Sequence, residues 1–385
     1  MRTFILVFRR EVIKVMSSPT YWLSVFVLPL FILFVMSTIF STGLIRELPV
    51  GIVDLDGSML SRSVIRNLEA VPELKVERTY SNAAEAQNDV LAKKIYGYLY
   101  IPNNFEQSVK ANKAVEVPFY FHYALLSVGG EVLSGFYSYL VHLATLPLMN
   151  LAHSMDIDPY KASVIAMPVT ADFHPLNNPS LDYTVYLSFT YFYVIFQVLM
   201  LLVVCYSVGR EFKEGTTVEW LSTAQHSRVA ALYGKLLPYF LAFSTISVFA
   251  NMVLFKLVHI PLAGSMLAVA SSSVLFVAAT LSVSVFIFSI NPHLSSIIGF
   301  VSMFGSLGAT MVGVTFPVSA MPPIVEWASA LFPAKHFTII TQNLCYEGLN
   351  FSYIWQQYLA LTLFLFLPFV LIRRLFPTKL LTPNN

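Results

Sequence analysis

The sequence predicts an α-helical integral membrane protein, with six transmembrane helices and a large external α/β domain between the first and second spans. Three observations carry this. Only 11% of the 385 residues are charged, less than half of the roughly 25% found in soluble domains. The uncharged residues gather in runs of about 20, the length that crosses a bilayer. One stretch, 46–182, departs from that pattern, with 10 Lys and Arg against 15 Asp and Glu. Its segments alternate between strand-like and helix-like patterns.

The chain opens on RTFILVFRREVIKVMSSPTYW. Phe4, Ile5, Phe8, Val12 and Val15 have helical spacing, with Arg9, Arg10 and Lys14 elsewhere on the wheel. Residues 1–20 therefore read as a cytoplasmic amphipathic helix lying on the inner leaflet. Ser17-Ser18-Pro19 then turns the chain into the bilayer. The first span, 21–45, is too long for the core of a signal peptide, and no Ala-x-Ala site follows it. It reads as a retained span.

The remaining five spans lie within 183–372. They are Tyr183–Val208, Leu236–Phe255, Ser265–Phe288, Leu294–Thr315 and Phe351–Ile372. No Asp, Glu, Lys or Arg occurs from Leu257 to Val325, and the Asn-Pro of SINPHLSS divides that run in two. Lys and Arg then set the topology. Four stand at the N-terminus, four in the loop after the second span (Arg210, Lys213, Arg228, Lys235) and three in the tail 373–385. Six spans put all three segments in the cytoplasm and leave the acidic stretch outside.

Within 46–182, LPVGIVDLDGS reads as a strand and turn, SRSVIRNLEAV as a helix and LKVERTY as a strand. A helix follows, with Asn82 and Glu85 spaced as a capping box. YGYLYIP, NNFEQSVKAN and VEVPFYFHY continue as strand, helix and strand. From Gly130 to about Ala171 the pattern becomes long, helical and apolar, with a kink at Pro147. That segment either packs on the sheet or extends as a partner-binding stalk. Asp54-x-Asp56-Gly57 lacks the later ligands of a calcium loop and reads as a turn. His122, His142, His153 and His174 lack ligand spacing, so no metal site is expected.

Chemistry of its own is not expected of this chain. It has no Gly-x-x-x-x-Gly-Lys-Ser/Thr, His-Glu-x-x-His, Gly-x-Ser-x-Gly or Gly-x-Gly-x-x-Gly. Cys205 and Cys345 form no Cys-x-x-Cys pair. Acidic residues are almost absent from the predicted spans, where proton-coupled carriers usually need them.

The stretch GREFKEGTTVEWLSTAQHSRVAALYGKLLPY, from Gly209 to Tyr239, concentrates charge between two apolar runs. Arg210–Glu214 reads as the exit from the membrane, with Gly209 and Gly215 as flexible punctuation. Thr216-x-x-Glu219 has capping-box spacing, so a helix is expected to begin inside the loop. Val218, Trp220 and Leu221 give it an apolar side, and Glu219, Ser222 and Thr223 the other. Such a helix suits docking into a groove on another protein. Ser227 is placed to cap the helix that carries Arg228 and Lys235.

These features resemble the type 2 ABC transporter permease family. The resemblance covers nearly the whole chain: an amphipathic first helix, six spans and a cytoplasmic Gly-Thr-x-x-Glu helix after the second span. GKLLPY, with Gly234, Lys235 and Pro238, resembles the family's start of the third span. VGIVDLDGSMLSRSVIRNL and YGYLYIPNNFEQSV resemble the first-loop domain of the long-loop bacterial exporters. The resemblance implies a multi-pass permease of the bacterial inner membrane, with both termini cytoplasmic. It implies a second permease chain, identical or a sibling, and a separate ABC ATPase subunit that holds ATP and Mg. The chain itself would bind no cofactor. The coupling loop 209–235 would relay nucleotide-driven motion through Arg210, Glu211, Glu214, Gly215, Thr216, Glu219, Trp220 and Leu221. Many members have a proline shortly after this helix, where this chain has Ala224-Gln225. In related tripartite systems the external domain meets a periplasmic adaptor.

Residues 316–350 are broken by Pro317, Pro322, Pro323 and Pro333. The resemblance implies short re-entrant helices near an outer exit, and such backbone must be shielded by protein or line a wet cavity. Glu326 and Lys335 either pair, line that exit or are ordinary loop charges. Two functions are carried forward. One is the membrane subunit of an ATP-driven exporter of amphipathic or hydrophobic substrates. The other is a membrane-anchored sensor or scaffold that displays the α/β domain without transport.

Overall fold

The computed structural model describes residues 2–39, 46–111, 113–122, 128–137, 139–140, 182, 184–348 and 351–376. The chain divides into two compact units, Leu44–His174 and the remainder, Met1–Gly43 with Pro175–Asn385. The helical segment predicted around Pro147 lies largely outside the described residues.

The larger unit is helical. It begins with α1 (Arg2–Ser17). Ser18 leaves α1 in extended conformation and Pro19 opens the next helix, α2 (Pro19–Ile39). Proline suits that position, because a first-turn N–H has no intrahelical partner. A π-helical stretch at Leu23–Val27 lies just before Pro29. Pro29 has no N–H to offer the turn before it, so the ladder loosens there.

The smaller unit interleaves strands and helices. They are β1 (Leu48–Asp54), α3 (Met59–Glu69), β2 (Leu74–Tyr80), α4 (Ala83–Leu91), β3 (Gly97–Ile101), α5 (Phe105–Lys110), β4 (Phe119–Phe121) and the helix α6 over 128–137. The strand order is β2-β1-β3-β4. Both β1 pairings are parallel, and β4 joins β3 antiparallel at the edge. Central β1 is covered on both sides, so its sequence is a near-continuous apolar run. Val50 and Ile52 pack with Val64 and Leu68 of α3 and Phe136 of α6. Val53 packs oppositely with Tyr80, Ala86 and Ile95. The predicted Asn82 cap forms, accepting from the Glu85 amide at 2.8 Å. Asp54 closes the turn after β1: Oδ1 accepts the Asp56 and Gly57 amides, each at 3.0 Å, and Oδ2 accepts the Ser61 hydroxyl at 2.8 Å.

After the sheet unit come five further helices long and apolar enough to cross a membrane. These, with the intervening short helices, are α7 (Phe189–Lys213), α8 (Thr217–Thr223), α9 (Arg228–Lys256), α10 (Met266–Ile290), α11 (Leu294–Met311), α12 (Pro323–Ser329), α13 (Pro333–Gln342) and α14 (Phe351–Leu375). With α2, six helices meet the spanning criterion among the described residues. The fold class is therefore six spans with a small sheet unit between the first and second in sequence. α7, α9, α10 and α14 run beyond the apolar runs that mark the predicted spans, and the expected Ser227 cap forms. α9 starts at Arg228, eight residues before the apolar run, because Ser227 caps it by accepting the Ala230 amide at 3.3 Å. α10 and α7 are buried along most of their length, whereas only a small share of α2, α11 and α14 is buried. Within 316–350, Pro323 and Pro333 each open a short helix, so neither crosses as a span.

Candidate functional site

Gly234 allows α1 to meet the bundle. A Cβ there would lie 2.9 Å from Val7 Cβ and 3.1 Å from the Phe4 carbonyl oxygen. Only a residue without a side chain lets two helices cross this closely. The crossing brings Arg10, Glu11 and Lys14 of α1 against the C-terminal turns of α7 and the first turns of α9.

A buried charge cluster results. Lys235 Nζ donates to Glu11 Oε2 at 2.7 Å and to Glu211 Oε1 at 3.0 Å. Arg10 grips both Glu211 oxygens, at 3.0 and 3.1 Å, and Lys14 donates to Oε1 at 3.0 Å. The Thr216 hydroxyl donates to Glu211 Oε2. Glu11 Oε1 accepts the Tyr239 hydroxyl at 2.7 Å and the Ser207 hydroxyl at 2.8 Å. Glu11, Glu211 and Lys235 are each at most 1% exposed. An unpaired charge so buried would cost several kcal/mol. Each carboxylate instead receives at least three donors, drawn from α1, α7, α9 and the start of α8. Burial opposes the Arg10 charge, but its hydrogen bonds to Glu211 outweigh this and raise its pKa.

The loop between α7 and α8 is built to hold Glu211 in place. α7 ends in a Schellman motif: the Thr216 amide donates to the Glu211 carbonyl at 3.0 Å and the Gly215 amide to Phe212 at 3.4 Å. Gly215 has φ of +70°, the left-handed conformation this motif needs. Gly209 behaves differently. It lies inside α7, where a Cβ would come 2.6 Å from Leu294 Cδ1. It is a packing position rather than flexible punctuation. Arg210–Glu214 likewise continues α7 as far as Lys213. Arg210 bonds Glu214 at 2.5 Å and stands 5.8 Å from the Tyr21 ring centre.

α8 corrects two sequence expectations. Its N-cap, Thr216, makes no side-chain capping bond: with φ of −86° and ψ of 8° its backbone is not in the extended conformation that aims a cap oxygen at the first-turn amides, and its hydroxyl donates to Glu211. Trp220 and Leu221 are fully buried, so they do not belong to an outward docking face. Trp220 Nε1 donates to the Ala231 carbonyl at 3.0 Å, its ring meets Phe376 edge-on at 4.9 Å, and the Lys235 ammonium lies 5.2 Å from its centre. The outward face consists of Val218, Glu219 and Ser222. Glu219 also approaches Arg10 at 3.5 Å. Just after α8, Gln225 and His226 both take positive φ, 49° and 61°. They turn the chain sharply toward α9.

Pro238 lies inside α9, three residues beyond Lys235. It denies the Gly234 carbonyl its helical partner, at the point where α1 crosses. The other sequence-predicted pair stands in a different part of the unit. Glu326 is exposed on α12 and Lys335 half-buried on α13. The two make no ion-pair contact; burial pushes the Lys335 pKa down and the Glu326 charge opposes that. Polar side chains near them have structural partners. His336 bridges Gln357 at 2.6 Å and the Ala330 carbonyl at 2.9 Å, and Gln197 accepts the Ala334 amide at 2.8 Å. Deeper in the bundle, Tyr193 meets Asn251 Oδ1 at 2.5 Å and Asn251 donates to Ser273 at 3.1 Å, joining α7, α9 and α10. Among the described residues no group of His, Cys, Asp and Glu is arranged to hold a metal ion.

Sequence reasoning missed Arg10, Glu11, Lys14, Ser207 and Tyr239 as members of this cluster. The usable signal was Glu11, the single acid in a helix otherwise basic and apolar. An acid on a helix lying against a membrane surface calls for a protein partner. Compared with known families, residues 19–374 match the family described as ABC-2 family transporter protein. No curated protein matches the chain.

Proposed function

Since this chain belongs to the ABC-2 transporter family, we propose that it is the permease subunit of an ATP-driven exporter of the long-first-loop bacterial type. A separate ABC ATPase subunit supplies ATP and Mg chemistry. A second permease chain, identical or a sibling, completes the path. The complex sits in the bacterial inner membrane with both termini cytoplasmic, and the sheet unit lies outside, where it meets a periplasmic adaptor. The substrate is amphipathic or hydrophobic.

One observation carries this reading. The cluster around Glu211 ties α8 to α1 and to the second and third spans at once. A push on the exposed Val218, Glu219 and Ser222 is therefore delivered to three elements, while Trp220 and Leu221 keep α8 from turning independently. A loop that served only as a connection would need no buried, multiply bonded carboxylate, which carries a large desolvation cost.

The face of α11 supports the substrate class. Its exposed hydroxyls bond the helix's own backbone: Ser302 to Ile298, Ser306 to Ser302 and Thr310 to Leu307, each at 2.9 Å. A surface of satisfied hydroxyls beside Phe300 and Met303 accepts apolar molecules without demanding charge.

The test is vanadate-sensitive ATP hydrolysis by the chain co-expressed with its ATPase, screened for stimulation by lipids, drugs and peptides. Recruitment of an ATPase and stimulated hydrolysis, both lost on Val218→Asp, are expected. A chain that recruits no ATPase and keeps its cellular phenotype on Glu219→Ala would instead be the non-transporting scaffold.

A further inference from the structure

α1 has two unlike faces. Its inward face presents Val7, Glu11 and Val15, all buried. Its outward face presents Ile5, Leu6, Ile13 and Met16, all exposed, and in their midst the exposed Arg9. Arg10 and Lys14 are consumed by Glu211, but Arg9 makes no ion pair among the described residues.

Beside this face runs a groove of about 200 Å³ between α1, α2 and α9. Its walls include Phe8, Val12, Val25, Phe26, Pro238 and Ala242. At about 100° per residue, Val12 stands only some 60° around α1 from Arg9 and one turn away. Arg9 is not part of the hydrocarbon lining, but it follows the lining residue Phe8 in the chain and carries its charge on a long, flexible stem.

We propose that this groove binds one anionic phospholipid of the adjoining leaflet, with an acyl chain in the slot and the phosphate headgroup on Arg9. The division of the site into a dry slot and a single cation matches the division of that molecule into tail and headgroup. A cationic stem on an apolar face extends its charge to the membrane–water boundary, where the phosphates lie. A protein helix in the same place would leave Arg9 facing apolar side chains. The inference concerns binding alone and stands whether or not an ATPase is recruited.

The full chain, purified in mild detergent and stripped of lipid, is titrated with phosphatidylglycerol and with phosphatidylcholine of identical chains. Native mass spectrometry reads the bound lipid. Wild type is expected to retain one phosphatidylglycerol in preference to phosphatidylcholine. Arg9→Ala should reduce that preference about fivefold, the effect of one basic residue at an anionic surface, and Arg9→Lys should keep it. Ala242→Trp, which fills the slot, should weaken binding of both lipids. An Arg9→Ala chain with the wild-type preference would overturn the headgroup assignment, and undiminished binding to a folded Ala242→Trp chain would overturn the slot.

Discussion

At Lys235 one ammonium serves two carboxylates and faces an indole ring. Replacing it with Met keeps the volume but takes from Glu11 its cation in a dry site, while Glu211 keeps Arg10 and Lys14. Breaking a buried pair in this way costs about 3–5 kcal/mol, so Lys235→Met should sharply lower the thermal stability of the detergent-solubilised chain. The double variant Glu11→Gln/Lys235→Met should recover part of that loss, since it removes one stranded charge. The two faces of α8 predict opposite phenotypes. Trp220→Ala opens a cavity and removes a hydrogen bond, and should cost about 3–5 kcal/mol in unfolding measurements. Val218→Ala and Glu219→Ala lie on the exposed face and should change stability by less than about 1 kcal/mol. Under the proposed function they should nonetheless lower ATP hydrolysis by the complex.

The contact between α1 and α9 depends on one missing side chain. Gly234→Leu would drive a branched group into Val7 and the Phe4 carbonyl. Overpacking of this kind costs about 1–3 kcal/mol. Here it should be relieved by α1 lifting away, which limited proteolysis would read as faster cleavage after Arg9 and Arg10. In the sheet unit, α4 is held to β2 and to the following loop through Asp89. Its carboxylate accepts Lys94 Nζ and the Tyr80 hydroxyl, each at 2.9 Å. These hydrogen bonds, Lys94 first, lower the Asp89 pKa. The folded value then lies below the unfolded one, so the bonds stabilise the unit above the ordinary Asp range. They are lost as pH falls through the lowered value. Hydrogen-exchange protection over residues 83–95 of the full chain, corrected for intrinsic rates, should fall below about pH 4. Asp89→Asn should abolish that pH dependence.

For the molecule as a whole, the sequence alone determined the class, the number of spans and the alternation of the sheet unit. The reason is that hydrocarbon tolerates neither charge nor unpaired backbone, so spans announce themselves as uncharged runs of known length. Turn and cap residues did the same for local boundaries: Asn82, Ser227 and the prolines that open α12 and α13 each do locally what their chemistry dictates. Partnership was not legible in this way. Glu11 and Glu211 are 200 residues apart in the chain, and nothing in the spacing of either predicts that one lysine will sit between them. Trp220 was legible as an apolar face but not as an inward one, because periodicity gives a stripe without saying what covers it. Thr216 had the spacing of a cap, yet the tight turn that closes α7 holds its backbone out of the extended conformation a cap needs, and its hydroxyl donates to the buried Glu211 carboxylate instead of receiving an amide. Tertiary structure decided these points, because only the crossing of α1 over Gly234 excludes water from the cluster and so makes each of its charges depend on the others.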